Sequence, residues 1–286
     1  HVGAAYLPQH TEKWVFVLSC TMLHAEESPG AKFDPGAGKT KRAYVWAYAR
    51  GGFDVSPGVV YEFCLGRGAK YPLEFLKGWS GTLVSDGYGV YDQVLKQERR
   101  VGAACFAHAR RKFDELVKDN LSPVGTQAIQ RMAALYQIER QVKGFSPEDR
   151  QAIRQSSSKP LCEELHAWLK LERQRVPEGG ATAKAIDYSL NRWVALTTYL
   201  ADGNVQIDNN HLENLIRPWA MGRRAWLFAG SELAGQRAAV IMSLVQSAKL
   251  HGHDPWAYLR DVLTRLPSHL NSRIEELLPH RWQPQS

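Results

Sequence analysis

Two short segments decide the fold, Ala43-Tyr-Val-Trp-Ala-Tyr-Ala49 and Val59-Val-Tyr-Glu-Phe-Cys64. In the first, large aromatic residues alternate with small ones, and the second is rich in β-branched and aromatic residues; both patterns are typical of β-strands. Gly51-Gly52 and Pro57-Gly58 mark turns at the two ends of the connection. Because that connection is short, we expect the two strands to pair antiparallel.

The segments on either side of this pair alternate between strand and helix patterns. Upstream, residues 12–26 predict the end of a helix followed by a strand, and residues 30–42 predict a turn-rich basic loop. Downstream, we predict a helix at 70–79, a strand at Thr82–Ser85, a helix at Tyr88–Lys96, a strand at Val101–Phe106 and a helix at Ala107–Lys118. The order predicts an α/β fold of the α+β type, in which helices flank a mixed sheet.

From about residue 120 to 200 the pattern becomes purely helical. Apolar residues such as Leu161, Leu165 and Leu169 recur at helical spacing, and Pro- and Gly-containing turns separate the segments. We therefore predict an all-helical insertion. After it, we predict helices near 209–217, 234–250 and 255–265.

Composition limits the class of protein. The chain has 286 residues, a formal net charge of +7 and 44% hydrophobic residues, which excludes disordered and collagen-like chains. It has no apolar run of about 18 residues, so no transmembrane helix is expected. The four cysteines form no CxxC pair, and a reducing cytoplasm is expected. The positive charge indicates a polyanion such as nucleic acid, although many enzymes are equally basic.

Acidic residues stand beside two of the predicted strands. Asp86 follows a strand directly, where a carboxylate can project from a rigid framework into a metal site. The pair Asp86-Gly87 is equally typical of a plain turn. Glu26-Glu27 follows the first apolar run, either as metal ligands or as solvated charges that enter a loop.

A third acidic residue, Glu213, lies on a predicted helix that Asp208, Asn209 or Asn210 can cap. Arg217, four residues later, lies beside Glu213 on the helix surface. This spacing fits a functional cluster, and it equally fits an ordinary surface ion pair. Pro218 is expected to kink or end the helix. The core-facing positions of this helix are Leu212, Leu215, Ile216 and Trp219.

Two other patterns do not support a site. Gly36-Ala-Gly-Lys-Thr40 lacks the first glycine of a phosphate-binding loop, where Phe33 stands instead. His251-Gly-His253 has no acidic or cysteine residues at zinc-ligand spacing.

Long motifs from about His24 to Trp282 carry a family resemblance. They are His24-Ala-Glu-Glu-Ser-Pro29, Ser85-Asp-Gly-Tyr-Gly-Val-Tyr91, Cys105-Phe-Ala-His-Ala-Arg-Arg-Lys-Phe113, Asp202-Gly-Asn-Val-Gln-Ile-Asp-Asn-Asn210 with Glu213 and Arg217-Pro218, Gly222-Arg-Arg-Ala-Trp-Leu-Phe-Ala-Gly-Ser231, Asp254-Pro-Trp-Ala-Tyr-Leu-Arg260 and Glu275-Glu-Leu-Leu-Pro279. Together these motifs resemble the insertion sequence 66 family of bacterial transposases.

The resemblance implies a DDE transposase with an RNase H-like core. Its three catalytic acids would be Glu26, Asp86 and Glu213, holding two Mg²⁺ or Mn²⁺ ions for cleavage and strand transfer of DNA ends. Glu26 departs from the family pattern, which has Asp at that position. The implied divisions are 1–119 for the first part of the core, 120–200 for the insertion, 201–250 for the second part of the core and 251–286 for a helical tail.

DNA, as transposon ends and as target, is the partner that the resemblance implies, with a homo-oligomer and other proteins of the element as further partners and no membrane. The expected phosphate contacts are Lys39, Lys41, Arg42, Arg110, Arg111, Lys112, Arg217, Arg223 and Arg224. Trp226 is expected to be buried, with stacking on a base as the alternative. A bacterial cytoplasm and its nucleoid are the expected location.

Two alternative functions remain at this point. One is a catalytically impaired remnant that only binds DNA, and the other is an RNase H-like nuclease. The family also carries further N-terminal sequence for recognising DNA ends, so we expect the chain to be part of a longer protein.

Overall fold

A mixed five-stranded sheet with flanking helices forms the framework. The computed structural model describes residues 15–34, 36, 38–97, 99–120 and 122–284. The strands are β1 (Met22–Asp34), β2 (Lys39–Arg50), β3 (Val59–Cys64), β4 (Gly81–Ser85) and β5 (Arg100–Ala104), in the sheet order β3-β2-β1-β4-β5. The predicted fold class, an α+β arrangement around a mixed sheet, is confirmed.

The helices from residue 70 onward follow the predicted order. They are α1 (Lys70–Phe75), α2 (Val90–Leu95), α3 (Phe106–Asn120), α4 (Pro123–Gln141), α5 (Pro147–Ile153), a π-helical turn (Arg154–Ser158), α6 (Lys159–Arg175), α7 (Ala181–Asn191), α8 (Trp193–Leu196), a 3₁₀ turn (Thr198–Leu200), α9 (Asn210–Trp226), α10 (Glu232–Leu250), α11 (Pro255–Arg265) and a 3₁₀ segment (Asn271–Leu277). No strand occurs among the described residues from 122 to 200, so the prediction of an all-helical segment is confirmed.

The chain divides into two compact units. The first takes the residues up to Gly81, Gly89–Arg100 and the residues from His211 onward. The second takes Thr82–Tyr88 and Val101–Asn210.

In the first unit, β1 and β2 form a long antiparallel hairpin. Their register pairs Gly30 with Ala43 and Asp34 with Lys39, so the predicted basic loop at 30–42 was wrong, because most of it is strand. Strand pairing uses backbone groups, so a charged and glycine-containing sequence can also form the outer part of a hairpin. The Lys41 Nζ atom lies 3.0 Å from Asp34 Oδ2 across the two strands.

The core of the first unit lies between this hairpin, β3 and the helices α9 and α10. Its buried members are Ala43, Val45, Ala47, Ala49, Val59, Tyr61, Phe63, Leu212, Ile216, Trp219 and Ala239. The odd-numbered residues of β2 thus share one face, as strand geometry requires. The predicted apolar face of α9 is confirmed, with Leu215 packed against the same cluster.

β3 ends the sheet on one side, and α10 covers the backbone of that strand. Ser243 Oγ accepts a hydrogen bond from Tyr61 N at 2.9 Å. One helical turn later, Ser247 Oγ accepts one from Val59 N at 3.2 Å and donates one to Val59 O at 3.1 Å. Two serines four residues apart lie on one side of the helix, so they meet alternate residues of the strand.

α9 continues eight residues beyond Pro218, so the predicted end of the helix at this position was wrong. Proline removes one helical hydrogen bond, at a cost of about 3 kcal/mol. Burial of Ile216 before Pro218 and of Trp219 after it anchors both halves of the helix on the same core. Packing therefore offsets the local penalty.

In the second unit, a buried arginine ties helices to a loop. Arg154, in the π-helical turn, is fully buried, and its Nε lies 2.8 Å from Glu139 Oε1. Its Nη1 donates to the carbonyl oxygens of Tyr199, Asp202 and Val205 at 2.9–3.1 Å. A buried guanidinium is stable when paired and hydrogen-bonded in this way.

Candidate functional site

The adjacent acids on β1 have different environments. Both lie inside the strand rather than at its end, which corrects the prediction. Glu27 is buried, and it accepts hydrogen bonds from Arg67 Nε at 2.7 Å and from Tyr91 Oη at 3.0 Å. Its partners hold Glu27 as a structural ion pair, so the interpretation of Glu27 as a solvated charge was also wrong.

Glu26 belongs to the opposite face of the sheet, because side chains alternate along a strand. In the register of the hairpin, Glu26 stands opposite Ala47. Ala47 belongs to the core cluster that includes Leu212 and Ile216 of α9. Glu26 therefore lies on the same side of the sheet as α9.

A pair of histidines joins β1 to the first turn of α9. The rings of His24 and His211 lie 5.5 Å apart in an edge-to-face arrangement. His24 is two residues from Glu26 and on the same face, and His211 is two residues from Glu213. Burial lowers the pKa of His211 below its ordinary value. Within the first unit, Glu26 and Glu213 thus come from two elements that meet at this contact.

Asp86 directly follows β4, as predicted, in a loop of the second unit. Asp86 Oδ1 accepts a hydrogen bond from Tyr88 N at 2.8 Å, so the interpretation as an Asp-Gly turn also holds. Tyr188 Oη donates to Asp86 O at 2.8 Å, and Arg192 Nη2 donates to Gly87 O at 2.9 Å. Both donors come from the end of α7, so the helical segment fixes the backbone of the Asp86 loop.

Gly87 has a φ of +81°, and an added Cβ would lie 2.5 Å from Arg192 Nε. Backbone conformation and close packing therefore both require glycine after Asp86. Sequence reasoning missed Arg67, Tyr188 and Arg192 as supporting residues. Arg67 is 40 residues from its partner and Tyr188 is 102 residues from Asp86, so no local spacing signals either contact.

Asp208 begins α9. Its Oδ1 accepts a hydrogen bond from Asn210 N at 3.0 Å and its Oδ2 accepts one from Asn210 Nδ2 at 2.7 Å. Burial raises the pKa of Asp208, and the hydrogen bond from the backbone N–H of Asn210 opposes that shift. Asp208, one of the three predicted capping residues, thus bonds to the first residue of the helix that carries Glu213.

The predicted phosphate contacts differ in exposure. Lys39, Lys41, Arg42, Arg111, Arg217 and Arg224 are exposed, whereas Arg110, Lys112 and Arg223 are partly buried. The first three lie on β2 rather than in a loop, as the hairpin requires. Exposed cations on a regular strand or helix suit phosphate contacts that position DNA without selecting its sequence.

The end of α9 departs from expectation at Trp226. Its side chain is 47% exposed, so the prediction of a buried Trp226 was wrong. It packs edge-to-face on Trp219, with ring centroids 5.4 Å apart. Beside it, Arg223 Nη1 donates to Pro29 O at 2.6 Å.

No helix among the described residues is long and apolar enough to cross a bilayer. Glu26, Asp86 and Glu213 are carboxylates, which are the hard oxygen ligands that Mg²⁺ and Mn²⁺ prefer, so the donor set fits these metals.

Comparisons with known proteins assign the family. Residues 13–237 match the family described as Transposase IS66 family, and residues 243–280 match the IS66 C-terminal element. The relatives are described as uncharacterized proteins of Sinorhizobium fredii strain NBRC 101917 / NGR234. The protein y4hP is 36% identical over 305 residues, covering 99% of this chain and 54% of the relative. The protein y4qI is 37% identical over 274 residues, covering 92% of this chain and 51% of the relative.

The chain therefore spans about half the length of the curated relatives it matches. The family match covers most of the chain, from before β1 into the first turns of α10, and the second match runs from within α10 to residue 280. This chain belongs to the IS66 family of transposases.

Proposed function

We propose that this chain is the catalytic part of a DNA transposase that cleaves the ends of an insertion sequence and joins them to target DNA. Family membership supports a transposase role. The observation that carries the finer proposal is the meeting of β1 and α9 at His24 and His211, which brings the elements bearing Glu26 and Glu213 together on one side of the sheet.

Glu26, Asp86 and Glu213 are the proposed catalytic and metal-holding residues. Two Mg²⁺ or Mn²⁺ ions held there would supply the chemistry of activating a water molecule or a DNA 3′-hydroxyl and of stabilising the leaving 3′-oxygen. The strand order and the alternation with helices support an RNase H-like core, interrupted by the helical segment at 120–200 and followed by a helical tail at 251–286.

The residues around these acids position them. Arg67 and Tyr91 hold Glu27, which fixes the register of β1 and keeps Glu26 on the face of α9. Tyr188 and Arg192 hold the backbone on both sides of the Asp86 carboxylate. Exposed arginines and lysines would neutralise phosphates of the bound DNA.

The proposal is tested with the whole chain, Mg²⁺ or Mn²⁺, and plasmid DNA that carries the sequences flanking its gene. Cleaved and joined products are separated on a denaturing gel. We expect Asp86→Asn and Glu213→Gln, which keep side-chain size, to lower the cleavage rate about a hundredfold or more. Glu164→Gln, an exposed acid on α6, is the matched control and should leave the rate unchanged.

Glu26 gives this test a second arm. The Glu side chain is one methylene longer than the Asp of the family pattern, and Mg²⁺ requires near-ideal octahedral geometry. If only Glu26→Asp cleaves DNA, the natural chain is a remnant that binds DNA without catalysis. Cleaved DNA without joined product would instead indicate a nuclease.

A further inference from the structure

A cavity of about 300 Å³ lies at the C-terminal end of α9, whereas Glu213 lies in the first turn of this helix. Its lining includes Gly30, Phe63, Trp219, Arg223, Trp226 and Phe228. This volume is at the lower end of the range for ligand pockets, and it suits one small planar group.

The loop that closes this cavity is fixed on β1. Phe33 N donates to Ala229 O, and Ala229 N donates to Ala31 O, both at 2.8 Å. The rings of Phe33 and Phe228 stack with centroids 5.5 Å apart. The aromatic walls of the cavity are therefore held by backbone hydrogen bonds as well as by side-chain packing.

Trp219 brings a buried polar group to the lining of the cavity. Trp219 is 4% exposed, and its Nε1 has no hydrogen-bond partner among the described residues. The indole N–H can only donate, so a bound ligand would have to supply its hydrogen-bond acceptor. A Cβ added at Gly30 would lie 3.9 Å from this nitrogen, so the absence of a side chain at Gly30 leaves the space beside the donor open.

One cation, Arg223, lines the cavity. Arg224 follows it on α9 and is exposed. Trp226 and Phe228 are 47% and 40% exposed, so their rings are accessible from solvent. A ligand that satisfies all of these features has an aromatic ring, an acceptor on its edge and an adjoining negative charge.

We propose that this cavity binds one unpaired nucleobase of a DNA strand. The base stacks on Trp226 and accepts a hydrogen bond from Trp219 Nε1, while Arg223 and Arg224 contact the adjoining phosphates. An apolar side chain of a protein would fill the same volume but would leave the Trp219 N–H without an acceptor, which is unfavourable for a buried donor. The proposal rests on the proposed function, because it specifies how that DNA is held.

The test measures binding of the whole chain without divalent metal, by fluorescence anisotropy, to three labelled probes. They are a thymidine single strand, a strand of equal length with abasic sites, and a duplex. We expect the natural chain to bind the thymidine strand at least about fivefold more tightly than the abasic strand, which is the lower limit for one stacked base. Thymine also offers carbonyl acceptors on its edge.

Two variants locate this preference in the cavity. Trp219→Phe keeps an aromatic ring in the core and removes the N–H, and Trp226→Ala removes the stacking surface. Both should reduce the preference for the base-containing strand while leaving duplex affinity within about twofold. Trp256→Phe, at a 74% exposed tryptophan on α11, is the matched control and should keep the full preference.

Equal binding of the two single strands by the natural chain would overturn the proposal, as would a uniform loss for all three probes in Trp226→Ala. Circular dichroism checks that both variants are folded. If Trp219→Phe is misfolded, the binding data for Trp226→Ala decide whether the base preference lies in the cavity, because Trp226 is half-exposed and its replacement disturbs the core less. Base preference without metal-dependent cleavage would contradict the proposed catalysis alone. Cleavage without base preference would contradict the nucleobase site alone.

Discussion

The backbone N–H of Tyr61 on the edge strand β3 is bonded to Ser243 Oγ of α10 at 2.9 Å. Ser243→Ala should therefore lower the free energy of unfolding by about 1–3 kcal/mol, because the buried Tyr61 donor loses its acceptor. Denaturant titration measures this change. Ser268→Ala, an exposed serine whose hydroxyl bonds to Arg265 O, is the control and should change stability by less than about 0.5 kcal/mol. Equal effects of the two substitutions would show that the strand contact contributes nothing.

Glu62 on the same strand makes stability depend on pH. Burial raises its pKa from 4.5 to about 7. Between pH 4.5 and about pH 7, Glu62 is therefore protonated in the folded state and ionised in the unfolded state. The free energy of unfolding falls as pH rises through this window and is constant above it. Glu62→Gln should remove the fall and stabilise the protein above pH 7 by up to about 3 kcal/mol, less whatever solvent screening removes.

Denaturant titrations of this variant from pH 4 to pH 8 check the sign. Glu164→Gln, which removes the same charge from an exposed position on α6, should run parallel to the natural chain. Parallel curves for Glu62→Gln as well would mean that the carboxyl is solvated in the folded state.

Leu227 follows α9 with a φ of +63°, in the left-handed region that costs a non-glycine residue about 1–2 kcal/mol. Its side chain is 66% exposed, so little packing is lost when it is removed. Leu227→Gly should raise stability by about 0.5–1 kcal/mol after the entropy of glycine is subtracted. Leu270 is similarly exposed but has a φ of −66°, and Leu270→Gly should lower stability by a similar amount. Thermal unfolding compares them; a loss at both positions would contradict strain at Leu227.

Tyr188 supports the proposed catalytic loop through its hydrogen bond to Asp86 O. Tyr188→Phe should lower the cleavage rate at saturating DNA about tenfold, within the hundredfold that a displacement of about 1 Å can cost. DNA affinity should not change, because the hydroxyl bonds to the protein backbone. Tyr71→Phe, which removes a hydroxyl from α1, should have the natural rate. A Tyr188→Phe enzyme with full rate would show that Asp86 is positioned without this bond.

Exposed arginines on α9 should make DNA binding dependent on salt. Arg217 and Arg224 are both exposed, and each phosphate contact contributes about 1 to the slope of log affinity against log salt. Replacing both by alanine should reduce this slope by about 2 on duplex DNA. Lys170→Ala, an exposed cation on α6, should leave the slope unchanged. Reduced affinity with an unchanged slope would place these arginines away from the phosphates.

The sequence predicts those strands and helices that depend on the order of neighbouring residues in the chain. Alternating apolar residues identified β2 and β3, and the Asp-Gly pair after β4 located Asp86 at the end of a strand. The outer hairpin was missed because backbone pairing holds it and most of its side chains are charged or small, so no apolar alternation marks it. The continuation of α9 past Pro218 was missed because contacts from distant strands offset a local penalty.

In the candidate site, too, local motifs could be predicted from the sequence and contacts between distant residues could not. Glu26, Asp86 and Glu213 were selected from motifs, but no spacing distinguishes Glu26 from Glu27. That distinction depends on Arg67 and Tyr91, which meet Glu27 only in the folded chain. Catalysis by the three acids and their metal ions remains a prediction.

Because Glu26 and Glu27 are adjacent, the proposed site also depends on the register of β1. A shift of one residue would exchange their faces, so that Glu27 would turn toward α9 and Glu26 toward Arg67. Each face would still carry one glutamate, and the net charge and composition of the strand would be identical. A residue inserted or deleted within β1 between Glu27 and the turn of the hairpin would force such a shift, so it should be more harmful to the proposed site than a substitution at the same position.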